Sequence, residues 1–206
     1  MDTVSFTSMD QGNAEEYRFL EGLGTEYREG AADRVLSHLA ALADSFGGYQ
    51  VSRLGHSLQT ATRAYNDGAE EEVVVAAVLH DIGDILAPQN HAEIAGTILK
   101  PHVSERTLWM VIHHGIFQGY YYWHHIGRDR DARERFRGHP HFEFTAEFCE
   151  RWDQPSFDPD YPTMPLDAFE PMVRRVFASP TQRGAQPHEL KAPRPDGAVS
   201  PSLRAR

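Results

Sequence analysis

Apolar residues recur along this chain at intervals of three and four. Within residues 30–45, Val35, Leu36, Leu39 and Leu42 follow that spacing and Gly47 and Gly48 punctuate the end, which predicts a helix and its stop. Residues 52–66 open on Ser52 and carry Leu54, Leu58, Ala61, Ala64 and Tyr65 as far as "NDG", a second helix closed by turn chemistry. "AEEEVVVAAVLHDIGD" starts acidic, as suits a helix N-terminus, and turns apolar on every side, the pattern of a central buried helix. The Val73–Val75 run could be a strand, but Ala76 and Ala77 and the lack of a partner strand nearby favour helix. Pro88 and Pro101 bracket "QNHAEIAGTILK", and "SERTLWMVIHHG" reads as the next helix, capped by Ser104 and stopped by Gly115. "HPHFEFTAEFCERWD" and, past the turn-rich "QPSFDPDYPTM", "PLDAFEPMVRRVF" complete the series. From residue 179 onward Pro, Gly, Ser and Arg dominate with few apolar anchors, which predicts a disordered tail. The expected fold is an all-α helical bundle over residues 30–178, with an N-terminal extension (1–29) and that tail (179–206).

Composition narrows the partners. The chain has 206 residues, enough for one substantial core, and a net charge of −10 without a basic cluster, so no nucleic-acid footprint is expected. A small molecule is the better default partner. Neither a leader-like N-terminus nor a stretch of membrane-spanning length is seen, so the expectation is a cytoplasmic protein with no membrane partner; oligomeric state is left open. One cysteine, Cys149, allows no internal disulfide and no thiolate cage, so a metal here would need imidazole and carboxylate. Twelve histidines are available.

Six positions stand out. His56, the His80–Asp81 pair, His91, His113 or its neighbour His114, and Asp153 fall in or at the ends of successive expected helices, which a bundle can bring together on its axis. An aspartate between two histidine-bearing helices can bridge two cations, whose charge offsets the burial of the carboxylates. Adjacent residues on a helix point about 100° apart, so His113 and His114 cannot both face one metal. His113 is favoured, as it continues the apolar Leu108–Val111–Ile112 approach.

The order H…HD…H…H…D, carried by "RLGHSLQ", "VLHDIGD", "QNHAEIAG", "WMVIHHG" and "CERWDQ", resembles the HD-domain superfamily. With two further histidines between HD and the last Asp, it is most similar to the mixed-valent diiron oxygenase branch, which includes organophosphonate-cleaving enzymes and, more distantly, myo-inositol oxygenase. The resemblance implies two iron ions, Fe(II) and Fe(III), with O2 as co-substrate. Carried over by position, His56, His80 and Asp153 would hold one iron, His91 and His113 the other, and Asp81 would bridge them as the catalytic centre. The phosphonate-cleaving relatives read HDIGH where this chain has "HDIGD", and a lysine shortly after the fourth histidine where it has Phe117. Acidic Asp84 and neutral Phe117 therefore point away from a dianionic substrate.

Tyr120, Tyr121, Tyr122 and Trp123 follow the fourth ligand closely. With Asp84, Phe117 and Tyr49, Tyr120 and Tyr121 are the candidate substrate contacts, and an aromatic wall beside an acidic residue suits a cationic group. Core and helix-end packing is the plainer role for these aromatics. His124, His125, His139 and His141 read as surface or capping residues, His102 as exposed, Cys149 as a buried core thiol, and Arg128, Arg130 and Arg133 as a solvated face. The expected activity is a diiron oxygenase that cleaves or hydroxylates a small polar, hydroxyl-bearing metabolite, one that can be cationic. The alternative is a metal-dependent phosphohydrolase of a nucleotide or phosphomonoester.

Overall fold

The computed structural model describes residues 2–179, and the expected tail from residue 180 onward lies outside them. Within those residues the protein is an all-α bundle without strands. Its helices are α1 (Ala14–Glu29), α2 (Ala31–Ala40), α3 (Arg53–Asn66), α4 (Glu71–Leu79), α5 (His91–Leu99), α6 (Glu105–Tyr122), α7 (Phe142–Phe148) and α8 (Leu166–Ala178). The N-terminal extension is therefore itself helical, opened by a reciprocal capping box between Asn13 and Glu16.

The helix α4 forms the axis. Every residue from Val73 to Leu79 is buried, as its apolar run requires, and α3, α6 and α8 pack around it. Glu72, at the entry to this helix, accepts from Ser104 N (2.9 Å), Ser104 Oγ (2.5 Å) and Thr107 Oγ1 (2.6 Å), tying α4 to the first turn of α6. The core continues through Leu39, Leu99, Met110, Phe117, Phe142 and Phe169, each fully buried.

One boundary differs from expectation. The helix α6 does not stop at Gly115 but continues to Tyr122. Phe117 two residues later is fully buried, and Gly115 is not one of the glycines that turn left-handed to stop a helix. A 3₁₀ turn over Trp123–Ile126 follows, and Gly127, with φ of 72°, makes the left-handed stop. His102 also departs from expectation. It is half-buried, its ring stacked on Phe177 with centroids 4.3 Å apart, because α8 crosses the α5–α6 connection there.

Candidate metal centre

Four histidines from four segments turn their rings inward, and each is oriented in the same way. The Nδ1 atoms of His56, His80, His91 and His114 lie 3.0, 2.8, 2.9 and 2.7 Å from the backbone carbonyls of Ser156, Ala77, Pro88 and Val111. A carbonyl can only accept, so each Nδ1 carries the proton and each neutral ring presents a bare Nε2 lone pair. Those lone pairs meet in twos, His56 with His80 at 3.2 Å and His91 with His114 at 3.3 Å.

Asp81 stands between the pairs. Its Oδ2 lies 3.6 Å from both His56 Nε2 and His80 Nε2, and its Oδ1 lies 3.2 and 3.3 Å from His91 Nε2 and His114 Nε2. Asp153 joins the first pair, with Oδ1 at 3.1 Å from His56 and 3.7 Å from His80. In three overlapping groups, His56–His80–Asp81, His80–His114–Asp153 and Asp81–His91–His114, one ligand atom per residue lies within 4.8 Å of the others. Lone pairs and carboxylate oxygens packed this closely repel one another unless a cation stands among them, so these residues could hold a metal ion.

The buried carboxylates favour positive charge here, a proton as much as a metal ion. Burial by itself would lower the pKa of His56 and His80, yet both are raised, through Asp153 and Asp81 for His56 and through Asp81 and Asp153 for His80. The carboxyls respond in kind. Burial would raise them, but His80, His114 and His56 hold Asp81 well below the ordinary carboxylate range, and the adjoining imidazoles of His56 and His80 lower Asp153.

Local structure explains the placement. His80 ends α4, where its Nδ1 donates back to the last turn, and the residues after it fold into consecutive tight turns. Gly83 in those turns lets α5 approach: a Cβ there would sit 2.6 Å from the His91 carbonyl oxygen and 2.8 Å from Ile94 Cβ. That close approach puts His91 beside Asp81. Asp153 closes a π turn, Cys149–Asp153, in which Gln154 N donates to Cys149 O at 3.0 Å. Asp67, at the end of α3, anchors that turn by accepting from Trp152 Nε1 and Arg151, each at 2.7 Å. Buried Cys149 behaves as expected of a core thiol, and its Sγ also reaches Asp153 Oδ2 at 3.7 Å.

The cluster forms the floor of a cavity of about 500 Å³. His56, Asp81, His91 and Asp153 line it as the sequence suggests, while His80 backs them, fully buried. The fourth histidine is His114 and not His113. His113 stacks on Trp109 at 4.1 Å and its Nδ1 donates to Trp109 O, on the far side of α6. Phe117 and Tyr120 share that displaced stripe. Phe117 is buried against Phe142, and Tyr120 lies beneath the guanidinium groups of Arg130 and Arg133, so neither lines the cavity. His139 likewise packs on Trp109, at 4.2 Å. Tyr121 and Tyr49 do line the cavity, and so does Asp84. Asp84, however, is paired with Arg53, whose Nε lies 3.0 Å from its Oδ2, so it offers no bare carboxylate to a cationic ligand.

Tyr122, from the expected aromatic cluster, also lines it, whereas Arg53, Gln118, Gln154 and Phe157 escape the sequence reading. Two carry a periodic signal, since Arg53 precedes His56 by three and Gln118 follows His114 by four, each on its histidine's face. Phe157 carries none; it stacks on His56 at 4.4 Å because its loop is bound to α3, with Gln59 Nε2 donating to Asp158 O at 2.7 Å. Among the described residues no helix is long and apolar enough to cross a membrane. Compared with known proteins, the chain matches no family model and no curated protein.

Proposed function

We propose that this chain is a dinuclear non-haem iron oxygenase acting on a small, polar, hydroxyl-bearing metabolite. The observation that carries this reading is the division of the four Nε2 atoms into two pairs, each facing a different oxygen of Asp81. A bridging carboxylate with imidazoles on either side and no sulfur suits two iron or manganese ions. Such a redox-active pair, when bound, supplies dioxygen activation and removal of a substrate hydrogen.

The chain's own residues supply geometry and dryness. Four backbone carbonyls lock the rings in the tautomer that leaves Nε2 free, so the ligand atoms are set before any ion arrives. Phe157 covers the face of His56 and Phe148 approaches His80 edge-on, which keeps water from that half of the cluster. His91 is the open side, its side chain keeping 24% exposure against 4% for His114, so substrate has access to the His91–His114 half.

Anaerobic purification with elemental analysis tests the reading, with about two irons per chain expected. A coupled Fe(II)/Fe(III) signal by electron paramagnetic resonance in the partly oxidised protein would support it. A single zinc or magnesium ion, with phosphatase turnover and no oxygen uptake, would replace it by the phosphohydrolase.

A further inference from the structure

Two buried polar atoms on the cavity wall are left without a hydrogen bond. One is the donor Arg53 Nε, charge-paired with Asp84 but not aligned on it; the other is the acceptor Gln118 Oε1. Gln118 cannot turn its amide to relieve this, because its Nε2 donates to Asp153 Oδ1 at 3.0 Å and a flip would set oxygen against carboxylate. A buried polar group left unmade is unfavourable, and both residues line the cavity, so an occupant toward which the two side chains adjust is favoured.

Both also adjoin the cluster. Arg53 Nη1 lies 3.6 Å from Asp81 Oδ2, and Gln118 touches Asp153 directly. Arg53 is the one lysine or arginine lining the cavity among the described residues, and its guanidinium sits 5.0 Å above the Tyr49 ring at the mouth. Asp84 already answers part of its charge, which suits a monoanion better than a dianionic phosphate or phosphonate.

Building on the metal reading above, we propose that Arg53 and Gln118 form the recognition subsite of the cavity and that its substrate class is a short hydroxy- or aminocarboxylate. The carboxylate sits on Arg53, and a hydroxyl or ammonium hydrogen a few bonds away is donated to Gln118 Oε1. Because both groups border the ligand cluster, only a few bonds separate the anion from the reacting carbon. Tyr121, Tyr122 and Phe157 complete the wall.

The test is calorimetric titration of the manganese-loaded full chain, without oxygen, with glycolate, hydroxymethylphosphonate and ethylene glycol; each sample is also assayed for metal. Glycolate is expected to bind tightest, and Arg53→Met to weaken it by about tenfold or more at unchanged metal content, the size of one charge-assisted hydrogen bond. Gln118→Leu is expected to weaken glycolate less, by about threefold to tenfold. Wild-type glycolate affinity in a metal-loaded Arg53→Met protein overturns the proposal, as does tighter binding of the phosphonate. If Arg53→Met loses its metal, Arg53→Lys decides, since it keeps a charge beside Asp81 without the planar fork; undiminished glycolate binding there overturns the proposal. A wild-type chain that takes up no metal overturns the reading of the cluster, and elemental analysis shows this separately.

Discussion

Two groups of histidines lie on opposite sides of α6, and their fates differ. On one side His56, His80, His91 and His114 face Asp81 and Asp153; on the other His113 and His139 sandwich Trp109, with centroids 4.1 and 4.2 Å from its ring. His113 even repeats the anchoring of the rings that face Asp81, its Nδ1 donating to a backbone carbonyl at 2.8 Å. Burial pulls His56, His80 and His113 toward neutrality. His113 yields to it and its pKa falls, whereas the carboxylates reverse it at His56 and His80. Histidines in a helical interior are thus not what makes a cation site. The buried carboxylate between them is.

The most severe way to break this contrast is Asp81→Ala. If the proposed dinuclear site is right, both histidine pairs lose their shared carboxylate, and metal content by elemental analysis is expected to fall from about two ions per chain to near zero. Full loading of that variant would refute the bridging role.

The adjacent histidines offer the sharpest comparison. His114→Ala is expected to lose about half of the bound metal, since it leaves His91 alone with Asp81 Oδ1. His113→Ala should keep all of it and lower unfolding stability by about 1–2 kcal/mol through lost ring packing, measured by chemical denaturation. Equal metal loss in the two would erase the distinction between the faces.

Gly83→Ala acts at a distance from either ring. Its new Cβ meets the backbone of His91, so α5 must shift, with an expected stability loss of about 1–3 kcal/mol and weaker metal binding at the His91 half. Unchanged thermal unfolding and metal affinity would show that α5 has slack there.

The smallest effect concerns a carboxylate held without histidines. Burial would raise the Glu72 pKa, but hydrogen bonds from Ser104 and Thr107 outweigh it and the net shift is downward. Its contribution is therefore present above the unfolded-state value of about 4.3 and lost as pH falls through the lower folded value. Between pH 6 and pH 3.5 the wild type should lose about 0.5–1 kcal/mol more than Glu72→Gln, a range already reduced for solvent screening at a half-exposed site. Parallel denaturation curves at the two pH values would remove Glu72 from the acid response.

Much of this was legible along the chain because local rules suffice for it. Ser52 and Ser104 cap the helices they precede, and the apolar run from Val73 is the buried axis. His56, His80, Asp81, His91 and Asp153 are legible as a series, falling in or at the ends of successive helices that a bundle can bring together. The departures on α6 share one cause, a shift of phase. His113, Phe117 and Tyr120 form one stripe, while His114, Gln118 and Tyr121 form the neighbouring stripe one residue on, and of the two only the latter lines the cavity. A helix ending at Gly115 would lack Gln118 and Tyr121, the residues whose positions set that phase.

The amino-acid order by itself determined the helical segments from α2 to α8, apart from where α6 ends, and which residue types could bind a cation, because capping, periodicity and burial act within a few residues of one another. The tertiary structure alone decided that the two oxygens of Asp81 each meet a separate histidine pair. It also decided that Arg53 answers Asp84, that Gln118 holds Asp153, and that a loop a hundred residues away supplies the carbonyl fixing His56. Those contacts depend on the rotation of each helix and the closeness of its neighbours, which packing sets and no spacing along the chain records.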